Sequence, residues 1–310
     1  MDAKKETFCD YFKKWVEEYK FGNVRPVTLQ KYHMTLRSLT DLAGDVRLSD
    51  LTKTKYQDII NRYALTHEKT TTADFHHHLK ACLDDLVDDG IIAKNPANKT
   101  VIKGKKPVPK KSKFLSQFET QCLIKALKLE GDINYDYLIF LMIKTGLRFS
   151  EAIGLTPSDF NFETQTIYIN KTFNYKVHGG NGFDKTKNES SIRKIQVDWK
   201  TLHMFSEIIK DVPKEEPIFV YSKGHIYNST VNDLLEQRCK EAGVPVVTLH
   251  SLRHTHASLL LAGGVSVASV AQRLGHSNMA TTQKVYLHVI KELENKDNAL
   301  AIASMMNLGE

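Results

Sequence analysis

No stretch of this 310-residue chain approaches the ~20 consecutive apolar residues needed to cross a bilayer. The opening Met1-Asp2-Ala3-Lys4-Lys5-Glu6 has none of the apolar core of a secretory leader. Both features point away from a membrane and toward a protein that stays where it is made, in the cytoplasm. Cysteine is scarce. Cys9, Cys82, Cys122 and Cys239 are scattered with no paired spacing, so neither a disulfide framework nor a zinc knuckle is indicated, and a reducing compartment fits. Spaced metal ligands are missing too. His76-His77-His78 are adjacent, and neighbouring helical positions point about 100° apart, so the three cannot converge on one ion. They read instead as a solvated stretch or one that faces a binding partner. His250, His254 and His256 lack the glutamate of a zinc-protease helix. No internal repeat or low-complexity tract interrupts the chain.

What is present is the composition of a folded protein, 41% hydrophobic and 25% charged, with a length that suits two domains of ~100–200 residues. A formal charge of +7 favours a polyanionic partner, because each phosphate met by Lys or Arg releases counterions. Apolar residues recur at helical steps through Phe8, Phe12, Trp15, Val16 and Tyr19, and again through Leu29, Tyr32, Leu36, Leu39 and Leu42. Gly44 would close the second helix with a left-handed backbone. Tyr56 to Tyr63 and Phe75 to Val87, the latter closed by Gly90, predict two more helices. The expectation is a small helical domain over residues 1–98.

Residues 99–113 carry Lys99, Lys103, Lys105, Lys106, Lys110, Lys111 and Lys113 around Pro107 and Pro109, with no acidic residue. The prolines block a helix and the like charges repel, so this segment reads as an extended basic linker. Lys103, Lys105, Lys106, Lys110 and Lys111 are the candidates for lying along DNA phosphates. Residues 114–310 form the second domain. Ser116 and Glu119 have the spacing of a capping box, and the helix through Tyr137, Leu138, Leu141 and Met142 runs to Gly146. Thr166–Ile169 and Ile192–Val197 alternate as strands do, with Gly179, Gly180 and Gly182 between them, predicting a small antiparallel sheet. Helices then return over Val231–Ala242, Leu249–Ala262 and a stretch ending near Tyr286.

Five polar residues in this half suit phosphoryl transfer, where negative charge spreads over non-bridging oxygens and catalysis is mostly positioning. A guanidinium stays protonated and can donate two parallel hydrogen bonds to a phosphate. Arg148, in Thr145-Gly146-Leu147-Arg148, and Arg253, one helical turn after His250, could grip one phosphate from two sides. A phenol with a reference pKa near ~10 needs a base or a positive field to attack at neutral pH. His250 can serve as that base, His276 of Leu274-Gly275-His276 can hydrogen-bond a non-bridging oxygen, and Tyr286 supplies the phenol. A lysine in Asp184–Arg193 could protonate the departing oxygen.

These residues resemble the tyrosine recombinase family, also called the phage or lambda integrase family. Thr145-Gly146-Leu147-Arg148-Phe149-Ser150-Glu151 is similar to its first arginine box, and Leu249-His250-Ser251-Leu252-Arg253-His254-Thr255 to its second. Leu274-Gly275-His276-Ser277-Asn278, with a tyrosine ten residues after that histidine, is similar to its closing box. The resemblance implies phosphate binding and proton management by Arg148, His250, Arg253 and His276, and nucleophilic attack by Tyr286. It aligns the hairpin lysine best with Lys187, with Lys185 as the alternative.

The implied fold is mainly α with a small antiparallel β-sheet (α+β): a helical core-binding domain and a catalytic domain forming a C-shaped DNA clamp. The implied reaction is site-specific cleavage and rejoining through a 3′-phosphotyrosyl bond, integrating or excising mobile DNA without ATP, metal or other cofactor. The implied partners are double-stranded recombination sites, a homotetramer on synapsed DNA that is a dimer or monomer off it, and an accessory DNA-bending or directionality factor. The C-terminal apolar residues, Leu293 to Leu308, would pack in cis or dock on a neighbour. Many integrases of mobile elements carry an additional N-terminal arm-binding domain, whereas this sequence starts almost directly at the first helix of the core-binding domain. The rival readings are a type IB topoisomerase and a catalytically silent DNA-binding regulator on the same scaffold.

Overall fold

A computed structural model describes residues 6–106, 114–175, 182–186, 189–223, 226–280 and 282–283. The chain divides into two compact units, Met1–Lys110 and Lys111–Glu310, and each has its own core.

The first unit is helical: α1 Phe8–Trp15, α2 Pro26–Ala43, α3 Lys53–Ala64 and α4 Lys69–Asp88. The periodic residues Phe8, Phe12, Trp15, Leu39, Tyr56, Ile60, Leu79, Leu83 and Leu86 form its core. Thr7 caps α1 by accepting from the Asp10 amide, and the Trp15 indole donates to Asp85 at 2.6 Å, tying α1 to α4. The first helical pattern does not continue as a regular α-helix, because Val16–Lys20 widens into a π turn. Gly44 ends α2 with an ordinary right-handed φ of −57°, so left-handed backbone is not what terminates that helix. Gly90, after α4, does have positive φ, +70°.

The three adjacent histidines differ from the expected solvated stretch. His76 is buried, its Nδ1 3.0 Å from the Tyr56 hydroxyl, and His78 Nδ1 lies 2.8 Å from Thr35 Oγ1 while its ring packs on Tyr32. Only His77 is exposed. Positions 76 and 78 flank the inward stripe through Phe75 and Leu79, so partial burial with a hydroxyl partner satisfies each ring. The start of the basic segment is also held rather than free. Gln57 clasps the backbone of Val101 with two 2.9 Å bonds, and the Lys105 amide donates to His67 O at 2.8 Å. Lys103, Lys105 and Lys106 nonetheless keep exposed side chains.

In the second unit the Ser116–Glu119 capping box opens α5, Gln117–Ala126. Nearly every residue of α6, Tyr135–Thr145, is buried, as expected of a helix that is apolar on all sides and central. Short α7, Phe149–Ala152, leads to the strands β1 Phe160–Asn161, β2 Thr166–Ile169, β3 Lys171–Phe173, β4 Phe183–Lys185 and β5 Arg193–Gln196. The two strands foreseen from alternation pair antiparallel, Ile167 opposite Ile195 and Ile169 opposite Arg193, with β1 on the outer edge of β2. A second hairpin, β3 with β4, lies between them in sequence. Helices α8 Trp199–Ile208, α9 Ile218–Lys223, α10 Asn228–Glu241, α11 Leu249–Ala262 and α12 Val267–Leu274 follow. Among the described residues no helix is long and apolar enough to cross a membrane.

Glycine is required at the end of α6. Gly146 has φ +69°, and a Cβ there would stand 2.6 Å from His256 Cδ2. Gly146→Ala is therefore expected to lower unfolding free energy by roughly 2–5 kcal/mol, combining left-handed strain of about 1–2 with overpacking of about 1–3. Gly90→Ala, with open space around it, should lose only the strain, about 1–2 kcal/mol. Urea denaturation of the two variants checks the difference; equal losses would contradict it.

Candidate active site

The site is organised around the carbonyl end of α12. This helix ends in a Schellman motif: Gly275 adopts φ +67°, its amide bonds Gln272 O, and the His276 amide bonds Ala271 O. That arrangement satisfies two of the terminal carbonyls and leaves those of Arg273, Leu274 and Gly275 exposed to other donors. Each receives an arginine from a different element. Arg193 Nε of β5 donates to Arg273 O at 2.6 Å, Arg253 Nη2 of α11 to Leu274 O at 2.5 Å, and Arg148 Nη2 to Gly275 O at 3.4 Å. Cations at a helix C-terminus also meet the negative end of its dipole.

Arg253 is only 3% exposed, and its Nη1 donates to Gly146 O at 2.9 Å, so one guanidinium joins the ends of α6 and α12. Three residues further along α11, on the same face, His256 Nδ1 bonds Ile143 O at 2.9 Å while its Nε2 accepts from Arg273 Nε at 2.9 Å. Burial, then the charge of Arg273, holds the imidazole of His256 down to about 3, so it stays neutral.

Arg148 stands between α6 and α7, and Glu151 fixes it. The carboxylate accepts from the Arg148 amide at 3.0 Å and from Arg148 Nη1 at 2.7 Å, and also binds Arg193 Nη2 at 3.0 Å. Burial would push the Glu151 carboxyl up, but Arg193 and then Arg148 reverse this and hold it below the usual carboxylate range. A carboxylate 1% exposed between two guanidiniums stays ionised.

Thr248 caps α11, placing His250 in its first turn, exposed at the surface, with its ring edge-on to His254 at 4.9 Å. Crowding by protein, then the charges of Arg253 and Arg148, hold His250 below its ordinary value. His276 is half-buried, its Nδ1 2.7 Å from Thr282 Oγ1, and burial followed by Arg253 and Arg148 holds it down to about 4. The same two guanidiniums thus act on both imidazoles. The structure gathers Arg148, His250, Arg253 and His276 from three separate stretches. Lys187, Tyr286, Lys110, Lys111 and the tail 293–308 lie outside the described residues, and Lys185 is described only as the last residue of β4. Among the described residues no group of three or more His, Cys, Asp or Glu side chains could hold a metal ion.

Glu151, Arg193, His256 and Arg273 support the site, and the sequence alone assigns none of them that part. The signal for Arg193 was in the strand pattern: Arg193 and Ile195 are buried while Lys194 and Gln196 are exposed, and an arginine at an inward strand position needs a buried acceptor.

The chain has a helical unit and an α+β unit, and the guanidiniums and imidazoles that meet at one helix end of the latter suit the handling of a phosphodiester. The chain belongs to the phage integrase family, the tyrosine recombinases: the family's sequence profile matches residues 113–292, and the profile of the phage integrase N-terminal SAM-like domain matches residues 7–64. Its activity is site-specific recombination of DNA. The XerC-like tyrosine recombinase of Caldanaerobacter subterraneus subsp. tengcongensis is 27% identical over 97% of this chain and 83% of its own length. The integrase of Staphylococcus phage L54a is 25% identical over 95% of this chain and 92% of its own. Among solved structures, the Tn1549 transposon integrase bound to transposon right-end DNA superposes with a TM-score of 0.74 at 21% identity, covering 94% of this chain and 99% of that one. A lambda integrase dimer on a core site gives 0.67 at 16% identity, covering 91% and 78%. These likenesses show a shared fold.

The depressed imidazoles set a pH dependence of stability. A histidine whose folded value lies below its unfolded value of 6.5 contributes stability that is complete above that value and lost as pH falls toward the folded one. Unfolding free energy should therefore decline from about pH 6.5 toward pH 4, and His256→Gln should flatten that slope. Denaturant titrations across this range test it; an unchanged slope in the variant would refute the assignment.

Proposed function

We propose that this enzyme cuts one DNA strand by attack of the Tyr286 phenolic oxygen on a phosphodiester, leaving a 3′-phosphotyrosyl bond and a free 5′ hydroxyl. The P–O bond to the 5′ oxygen breaks as the tyrosine P–O bond forms. The proton of the phenol passes to His250, and the departing oxygen takes one from Lys187, with Lys185 as the alternative. Arg148 and Arg253 bind the non-bridging oxygens, and their charges stabilise the transition state. The observation that carries this reading is the gathering of both guanidiniums and both imidazoles at the end of α12.

The neutral state of the imidazoles suits these roles. A neutral His250 can accept a proton. When the Thr282 hydroxyl donates to His276 Nδ1, the ring carries its proton on Nε2 and can donate it to a phosphate oxygen without adding charge. Rejoining is the reverse step, with the 5′ hydroxyl of a partner strand as nucleophile. The ester energy is kept in the tyrosyl linkage, so neither ATP nor a metal enters the balance.

In the same reading, residues 1–98 form a core-binding domain, 99–113 a basic linker and 114–310 the catalytic domain with its tail, and both units hold duplex DNA. Lys103, Lys105, Lys106, Lys110 and Lys111 neutralise backbone phosphates. Four copies act on two synapsed sites, as dimers or monomers before synapsis, in the cytoplasm at the chromosome, with an accessory bending or directionality factor setting the sense of the reaction. The relatives, named as recombinases, integrases and transposon transposases, favour strand exchange between sites over simple relaxation of supercoils.

A nicked suicide duplex that traps the covalent adduct tests the chemistry. The parent should form adduct in the presence of EDTA, Tyr286→Phe should form none, and Arg148→Lys or Arg253→Lys should slow adduct formation about 100-fold or more while binding the duplex. Adduct formation by Tyr286→Phe would refute the nucleophile. Relaxation of plasmids without joined products in a two-site assay would refute recombination.

A further inference from the structure

Two arginines with no role in the reaction just described cross each other between β5 and the end of α12. Arg193 Nε donates to Arg273 O at 2.6 Å, and Arg273 Nη1 donates to Gln196 O at 2.9 Å, so each guanidinium holds the backbone of the other's element. Each is anchored a second time, Arg193 on Glu151 and Arg273 on His256 Nε2. The bonds form a continuous path. Ile143 O is held by His256, His256 by Arg273, Arg273 O by Arg193, and Glu151 by both Arg193 and Arg148.

The end of α12 packs closely on the approach to β5, a Cβ on Gly275 standing 3.0 Å from Ser190 O, but along the strand itself side chains leave space. A groove of about 840 Å³ runs between them, lined by Ile192, Lys194, Ala268, Gln272, Met279 and His276. A single carbonyl contact would let strand and helix slide past one another. Two crossed contacts fix both the offset and the tilt, and His276 follows three residues after Arg273.

We propose that Arg193 and Arg273 are positioning residues that fix where the His276 imidazole sits relative to Arg253 and Arg148. The proposal rests on the reading of His276 as part of the phosphate-handling site. Neither arginine needs to touch DNA for this. Both act through the backbone that carries the histidine, and a lysine, which keeps the charge but lacks the fork, cannot hold a carbonyl and a second partner in the same geometry.

The experiment uses the full chain and its Arg193→Lys, Arg273→Lys and His276→Ala variants, singly and combined. In the free protein, ¹⁵N NMR of labelled histidine reads the tautomer and titration of His276. The parent ring should stay neutral, with its proton on Nε2, down to about pH 5, whereas in either lysine variant its midpoint should move up toward the ordinary value near ~6.5. On the suicide duplex, each lysine variant should form adduct about 10- to 100-fold more slowly than the parent. In the His276→Ala background the same substitution should change the rate less than about twofold, because groups acting through one another are not additive.

Unchanged titration of His276, or equal fold losses in both backgrounds, would overturn the proposal. Should Arg193→Lys fail to fold, Arg273→Lys, whose contact with β5 is to a surface carbonyl, carries both measurements. If His276→Ala cleaved as fast as the parent, the catalytic reading of His276 would fall, and the NMR arm would still decide whether the crossed pair fixes the ring.

Discussion

A helix end with more carbonyls than its own motif can satisfy is the constraint on which this site depends. The turn at Gly275 occupies the oxygens of Ala271 and Gln272 and presents the next three to the interior. Left unpaired, such groups cost free energy comparable to a lost hydrogen bond each. Arginine meets the need best, because it brings several donors and a charge of the sign the helix end prefers. The requirement that stabilises α12 is therefore the one that assembles positive charge. An enzyme that binds a phosphodiester needs that charge concentrated in one place before substrate arrives.

Concentrating guanidiniums has a cost, since like charges repel, and the structure offsets it with one buried carboxylate. Glu151 lies between Arg148 and Arg193 and remains ionised because both act on it. The imidazoles respond in the opposite sense. Crowded by surrounding protein and placed in the field of Arg253 and Arg148, His250 and His276 shed their protons more readily and present neutral nitrogen. One charge arrangement thus keeps an acid ionised and two bases uncharged.

Much of this was legible in the sequence because it was local. Helical periodicity located the cores of both units, and the spacing of Ser116 and Glu119 forecast a cap that the structure contains. Alternation found β2 and β5. Arg148, His250, Arg253 and His276 stand out as candidates because each lies in a short motif. What local reasoning could not see were pairings across tens of residues. His76 and His78 were read as solvated because their hydroxyl partners, Tyr56 and Thr35, are distant in sequence. Gln57 holding Val101, which fastens part of the lysine-rich segment, was hidden for the same reason. Nothing local singles out Arg193 or Arg273, since only the fold brings each to the other's backbone.

That the acceptors offered by the end of α12 are main-chain oxygens has a bearing on mutational tolerance. A side-chain acceptor disappears with one codon, but the oxygens of Arg273 and Leu274 belong to whatever residue stands there. Drift at position 274 can erode packing without removing the acceptor that Arg253 uses. Vulnerability shifts to the donors and to Gly275, where the backbone's handedness, rather than any functional group, decides which way the three oxygens face.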